Sequence, residues 1–311
     1  TDLFQRRQFT ESASLSEKIF DKLCSSDSKN KKVFFKNANV IYLAEKQFDK
    51  SKNLLAKAPK CGLGNDATLP LYLDHLNELA TSSKWSSFND IIKMLEVSKE
   101  MWPGLIYPSS LLANELENIG RNEDASKVRS KMMNYYENSK KQKLEIPLEA
   151  LDAISLVRLS SLEDQLKKIS ATKLTFPEAE YNKILKNKFG QLDRLTSEAV
   201  SIAEMGSGIG VVRAYRYLVT GHESLRSEII HFSPEGKSPE YVSSFKKSME
   251  KLSAPLARQA DDFRETAIKK IEKENILSSD NGWFLVKNDF GFIPEYSTDN
   301  GAALMDKAGG K

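Results

Sequence analysis

Cysteine and histidine are scarce in this chain, with two of the first and three of the second in 311 residues. Cys24 and Cys61 form no CxxC pair, and His75, His222 and His231 form no HxxxH pair. The spacing of a dedicated zinc site is therefore missing, and no metal is expected. Glycine and proline are also few, at 15 and 10. That is too little for a loop-rich β protein, and long stretches contain neither. Those stretches are rich in Leu, Lys, Glu, Ala and Ser, which mostly tolerate helix. Charge of one sign is absent as well. The 46 basic and 43 acidic residues leave a net charge of +3, which gives no footprint for nucleic acid. The basic stretches Lys29–Lys32 and Lys140–Lys143 lie between helical patterns and read as solvated linkers. No apolar run approaches the roughly 20 residues needed to span a bilayer. The chain starts at Thr1 inside a helical pattern, as a mature or trimmed chain would, which leaves its compartment open.

What is present is a repeat. Tyr42, Phe48, Ser51, Leu55 and Ala58 return as Leu79, Trp85, Phe88, Ile92 and Leu95, then as Leu116, Asn122, Ala125, Arg129 and Met132, 37 residues apart each time. Each unit reads as helix, polar turn, helix. The turns fall at Glu45-Lys46-Gln47, Ser82-Ser83-Lys84 and Gly120-Arg121-Asn122. A half unit precedes them, with Leu15, Ile19 and Leu23 on one helical face and its partner helix missing or reduced to residues 1–7.

These residues resemble the tetratricopeptide repeat family over roughly residues 1–136. Phe35, Ala38, Tyr42, Phe48, Ser51, Leu55 and Ala58 fall at matching positions, as do Leu112, Leu116, Gly120 and Ala125. The period is 37 where the family has about 34, Phe88 stands where a small residue is usual, and Arg129 occupies an apolar position. The resemblance implies hairpins stacked into a superhelix, with a groove lined by the first helix of each unit. Groove positions would then be Lys36, Leu73, Asn77, Ser110, Asn114 and Glu117. The family's clamp for a terminal carboxylate pairs lysine with asparagine. Lys36 is present here, but Val40 replaces the asparagine.

After Lys143 the pattern changes to long apolar stripes. Leu156, Leu159, Leu162, Leu166 and Ile169 mark one helix, and Tyr181 to Ile202 a second. Val212 to Phe232 mark a third, and Tyr241 to Ile271 the longest, which Pro255 should kink. The Gly206–Gly210 cluster reads as a turn between helices. No strand precedes it and no Lys-Ser pair follows, so it is not a phosphate loop. Beyond residue 275 come Asn281-Gly282 and Phe290-Gly291 turns, a short strand over Trp283–Val286, and a mobile end from Ala303. The aromatics Trp283, Phe284, Phe290, Phe292 and Tyr296 either cap the last helices or dock a partner.

The expected fold is all-α, a tetratricopeptide-like α-solenoid followed by long antiparallel helices and a short irregular C-terminal tail. The expected divisions are 1–140, 141–275 and 276–311. His75, between Leu73 and Leu76, reads as packing or surface. The adjacent carboxylates Glu163-Asp164 and Asp261-Asp262 point about 100° apart on a helix and read as solvated faces. Cys24 and Cys61 are also 37 apart. Stacked helices lie about 8–10 Å apart and a disulfide needs α-carbons within about 7 Å. Two free thiols are therefore expected, although loop freedom keeps a bridge open. No catalytic, cofactor or metal residue stands out. The functional expectation is a non-catalytic scaffold or adaptor that binds a protein or peptide partner within a larger assembly. The alternatives are a self-associating structural component of an envelope or filament complex and, third, a helical enzyme with no recognisable motif.

Overall fold

The computed structural model describes residues 2–285, which fold as helices and short turns with no strand among them. The chain is all-α and divides into two compact units, Thr1–Ala150 and Leu151–Lys311.

The first unit contains α1 (Asp2–Gln5), α2 (Phe9–Leu23), α3 (Asn30–Ala44), α4 (Phe48–Lys57), α5 (Asn65–Thr81), α6 (Trp85–Leu95), α7 (Trp102–Asn118) and α8 (Asn122–Lys141). Helices α3/α4, α5/α6 and α7/α8 are hairpins. The first helices pack in series, α3 on α5 and α5 on α7, and α2 covers the outer side of α3.

The period seen in the sequence is written into the backbone of the turns. Each first helix ends in a residue of left-handed conformation: Lys46 (φ 55°), Ser83 (φ 56°) and Gly120 (φ 79°). The next amide then reaches back over five residues. Gln47 N donates to the Tyr42 carbonyl at 2.7 Å, Lys84 N to Leu79 at 2.9 Å and Arg121 N to Leu116 at 2.8 Å. The left-handed residue itself donates to Leu43, Ala80 or Glu117. This double bond satisfies carbonyls that a helix end leaves open and turns the chain at one fixed angle. The turn from α1 to α2 repeats it, with Arg7 at φ 59° and Gln8 N bonded to Leu3 at 2.8 Å. The half unit thus keeps a first helix of four residues.

Sheltering of apolar faces does the rest. Phe20, Phe35, Tyr42, Leu54, Leu55, Leu76 and Leu79 are fully buried. Each such side chain contributes about 1.5–3 kcal/mol when removed from water. The Phe20 and Phe35 rings meet at 5.3 Å. Beside them the Tyr42 hydroxyl donates to Glu17 at 2.7 Å, and Lys57 Nζ reaches the same carboxylate at 2.8 Å. Burial alone would raise the Glu17 carboxyl, but these bonds hold it below the usual value.

The free-thiol expectation is wrong. Cys24 and Cys61 form a disulfide, with α-carbons 4.6 Å apart. The helix-spacing estimate fails because neither cysteine sits on the body of a helix. Cys24 caps α2, and Cys61 ends the single 3-10 turn Ala58–Cys61 that follows α4. Both lie where the chain has left the helix axis. Lys31 holds this corner, donating from Nζ to the Cys61 carbonyl at 2.8 Å and to Ser26 at 3.1 Å.

The second unit is built from the long helices α9 (Leu148–Ala171, whose first turn crosses the unit boundary), α10 (Glu178–Ala203), α11 (Gly208–His231) and α12 (Pro239–Lys273). A last helical turn, α13 (Gly282–Leu285), follows. The α12 helix runs unbroken through Pro255. The Gly206–Gly210 segment is the expected turn. Gly206 has φ 88°, and Ser207 caps α11 by accepting from Gly210 N at 3.0 Å while donating to Asp152 at 2.6 Å. Inside the bundle Lys188 is 1% exposed. It donates to the Ile169 carbonyl at 2.6 Å and to Glu228 at 2.7 Å.

The strand expected from Trp283 is also corrected, because residues 282–285 are helical. A strand needs a partner to accept its ladder bonds, and none exists among the described residues. Instead Asp280 is held by Arg213 at 2.6 Å and Arg216 at 3.5 Å, which starts the chain turning. Phe284 is fully buried against the helices and Trp283 packs beside it. Phe290, Phe292, Tyr296 and the end from Ala303 lie outside the described residues.

Two outcomes follow for stability. Nothing lies within 4 Å of a Cβ built on Gly120, so Gly120→Ala costs only its left-handed strain, about 1 kcal/mol, while Ser83→Gly gains about 0.5–1 kcal/mol by relieving the same strain. Urea unfolding of both variants checks the opposite signs. The bridge closes a loop with a sequence separation of 37, and its loss through Cys24→Ser/Cys61→Ser costs about 3–4 kcal/mol. The same unfolding curves with and without reductant measure it, and coincident wild-type curves would mean that the thiols are free in solution.

Candidate functional site

The first helices of the three hairpins present equivalent positions in parallel rows. One row is Lys36, Leu73 and Ser110. The next is Val40, Asn77 and Asn114. Because α3 packs on α5 and α5 on α7, the rows form one continuous ladder across the unit. Such a surface arises wherever a repeat keeps its buried stripe and is free to vary beside it.

The six expected groove residues do not share one environment. Lys36 is exposed. It acts on Asp74 of α5, whose carboxyl burial raises and the Lys36 charge pulls down. Leu73 is half-buried and packs on α7 at Gly104, where a Cβ would stand 2.9 Å from Leu73 Cδ1. Gly104 is what lets the two helices close over that leucine. Asn77 is half-buried, and its side-chain oxygen has no hydrogen-bond partner. Ser110 is half-buried. Asn114 and Glu117 are exposed, but Arg129 of α8 reaches back to both. It donates to Glu117 Oε1 at 3.1 Å and to Asn114 Oδ1 at 3.5 Å. Its guanidinium holds the Glu117 carboxyl below the usual range. Asn114 thus lies on the ladder with Lys36, Leu73, Asn77 and Ser110 but, like Glu117, is tied to its own hairpin. The departure at position 129 explains this, since an arginine at an apolar site must carry its charge outward.

Two exposed apolar side chains flank Lys36 on α3. Val33 is 54% and Val40 44% exposed. One turn to either side of Lys36 on the same helix, they make a stripe that no described residue of the first unit encloses.

Beneath the ladder lies a buried polar chain that the sequence did not announce. Ser51 of α4 donates to Asn39 Oδ1 of α3 at 2.7 Å, and its oxygen is 2.7 Å from His75 Nδ1 of α5. All three are buried, with the Phe48 ring tilted beside the imidazole, centroids 5.9 Å apart. Ser51 has one proton. With that proton on Asn39, the His75 Nδ1 proton points at Ser51. The chain stitches three helices together, and the Ser51 hydroxyl beside His75 is itself enclosed, with its proton committed to Asn39. Burial pushes the His75 imidazole down to about 4, with the Lys52 charge adding to the drop and Asp49 opposing it. The second unit buries His222 in the same way, its Nδ1 2.8 Å from the Leu218 carbonyl. Among the described residues no three His, Cys, Asp or Glu side chains converge as metal ligands would.

A buried base with a depressed value stays neutral in the folded state but takes up a proton when unfolded. Its contribution is complete above about pH 6.5 and is lost as the pH falls towards 4. The loss amounts to about 3 kcal/mol for His75. Unfolding measured at pH 7 and at pH 4 should show this drop, and His75→Gln should flatten it.

No family model matches the chain, and neither a curated protein nor a solved structure matches it.

Proposed function

We propose that the ladder of the first unit recognises a protein or peptide partner, and that the chain serves as a non-catalytic scaffold or adaptor within a larger assembly. The single observation behind this reading is the contrast between two sets of positions in one 37-residue register. Tyr42, Leu79 and Leu116, along the buried stripe, stay apolar and enclosed. Lys36, Leu73 and Ser110, and Val40, Asn77 and Asn114, change in charge, size and polarity from unit to unit. Val33 and Val40, exposed on either side of Lys36, add apolar contact area to this surface. The resemblance of residues 1–136 to tetratricopeptide repeats leads to the same place, since the first helices would then line the binding groove. The Cys24–Cys61 bridge adds a setting, because such bonds persist in oxidising compartments.

Val33→Glu/Val40→Glu tests the reading. Both positions are exposed, so stability should change by only about 0.5 kcal/mol at each. Recovery of whatever partner the intact chain retains from native extract should fall about tenfold or more. Unchanged recovery would end the groove proposal. A mass that rises with concentration in light scattering, and that the double variant abolishes, would assign the surface to self-association instead.

A further inference from the structure

The start of α3 is a poor place for a helix to begin. Its N-cap is Lys29, whose side chain caps nothing, and the first turn holds no acidic residue. Lys29, Lys31 and Lys32 instead place positive charge at the end of the helix where its dipole is also positive. Two local bonds serve the amides there. Ser28 Oγ accepts from Asn30 N at 3.3 Å, and the Ser28 carbonyl accepts from Lys31 N at 3.2 Å. Intrinsic preference therefore does little to hold this turn.

The disulfide corner holds it instead. Lys31 Nζ donates to the Cys61 carbonyl at 2.8 Å and to the Ser26 carbonyl at 3.1 Å. Those carbonyls belong to the two chain segments that the Cys24–Cys61 bond joins. One ammonium can span both only while the segments stay together. Ser26 carries the link onward, since its Oγ donates to the Leu23 carbonyl at 2.8 Å and accepts from Ser28 N at 3.4 Å. Deeper in α3, Phe35, Ala38 and Tyr42 are enclosed, so the body of the helix is held by packing and not by the corner. The two sulfurs differ in shielding. Cys61 is buried, whereas Cys24 is only half-buried and open to attack.

We propose that the Cys24–Cys61 bond is a redox latch on the first turn of α3: reduction by a dithiol frees Lys31 from the corner and frays residues 25–33, while the rest of the unit stays folded. One thiolate of the dithiol attacks Cys24 Sγ, the S–S bond breaks, and Cys61 leaves as a thiolate that takes up a proton. The second thiolate of the reductant then attacks its own sulfur in the mixed disulfide. Cys24 leaves, takes up the other proton, and the reductant departs as a disulfide. Two electrons and two protons have passed to the cysteine pair. Val33 lies in the released turn and Lys36 follows within one more, so the latch sets the leading edge of the ladder. That consequence rests on the partner reading above, whereas release of the turn does not.

Amide hydrogen exchange of the full chain, oxidised and after treatment with dithiothreitol, tests the latch without any partner. The amides of Phe34, Phe35 and Lys36 bond to the carbonyls of residues 30–32 and so report the turn. Reduction should speed their exchange about tenfold or more, and the new rate should not change with urea below the unfolding transition, as befits local opening. Amides in α5 and α7 should keep a steep urea dependence, because they exchange only when the unit unfolds. Lys31→Met should speed the same three amides in the oxidised chain, and reducing that variant should add less than reduction adds to the native chain, since both changes break one link. Equal rates before and after reduction would overturn the proposal. So would urea dependence at residues 34–36 in step with α5 and α7, which would make the bond a general staple. An oxidised Lys31→Met chain that exchanges as slowly as the native one would overturn it too.

Discussion

The first unit depends on one constraint: a pair of helices has more apolar surface than it can cover by itself. Each hairpin therefore needs the next, and the next must arrive at a fixed angle. The left-handed residue after each first helix supplies that angle. Its two backbone bonds leave the chain one way to continue, so the apolar stripe of the second helix always returns to the same side. Lysine and serine occupy this position in two of the turns and glycine in the third. Backbone geometry was thus retained where the side chain best suited to it was not.

Much of this was legible before any coordinates, because periodicity and the buried stripe are local properties of the chain. Tyr42, Leu79 and Leu116 announce themselves by spacing, and so do the long stripes after residue 143. What stayed hidden depends on residues distant in sequence. The meeting of Cys24 with Cys61 depends on where two chain ends leave their helices, and helix packing distances describe only helix bodies. Asn39, Ser51 and His75 each looked unremarkable alone, since an asparagine, a serine and a histidine at scattered positions carry no shared pattern. Arg129 counted against an apolar site, although its head group simply bends out to Glu117. Trp283 and Phe284 suggested a strand by composition, but the Asp280 ion pairs decided the path of the backbone.

The two units solve the problem of enclosed polarity differently. In the first, a neutral chain of three side chains joins α3, α4 and α5, and leaves the Asn39 amide nitrogen without an acceptor. Its value lies in specificity, since only one register of the helices brings the three groups into line. In the second, a full charge is buried. Lys188 is compensated by Glu228, which also accepts from Leu174 N at 3.1 Å. One carboxylate thereby ties the loop after α9, the middle of α10 and the last turns of α11. Truncating either partner would strand the other charge inside the bundle, a far larger penalty than the pair contributes by existing.

The covalent link near the N-terminus has a mechanical meaning. A force applied at residue 1 can peel α1 and α2 away up to Cys24, but the enclosed segment cannot lengthen. Its 37-residue separation withholds roughly 130 Å of contour at about 3.5 Å per residue. Tension then bypasses α3 and α4 and enters the remaining helices at Cys61. If the chain hangs between two neighbours under load, its leading hairpin behaves as a rigid grip and the later ones as the extensible spring.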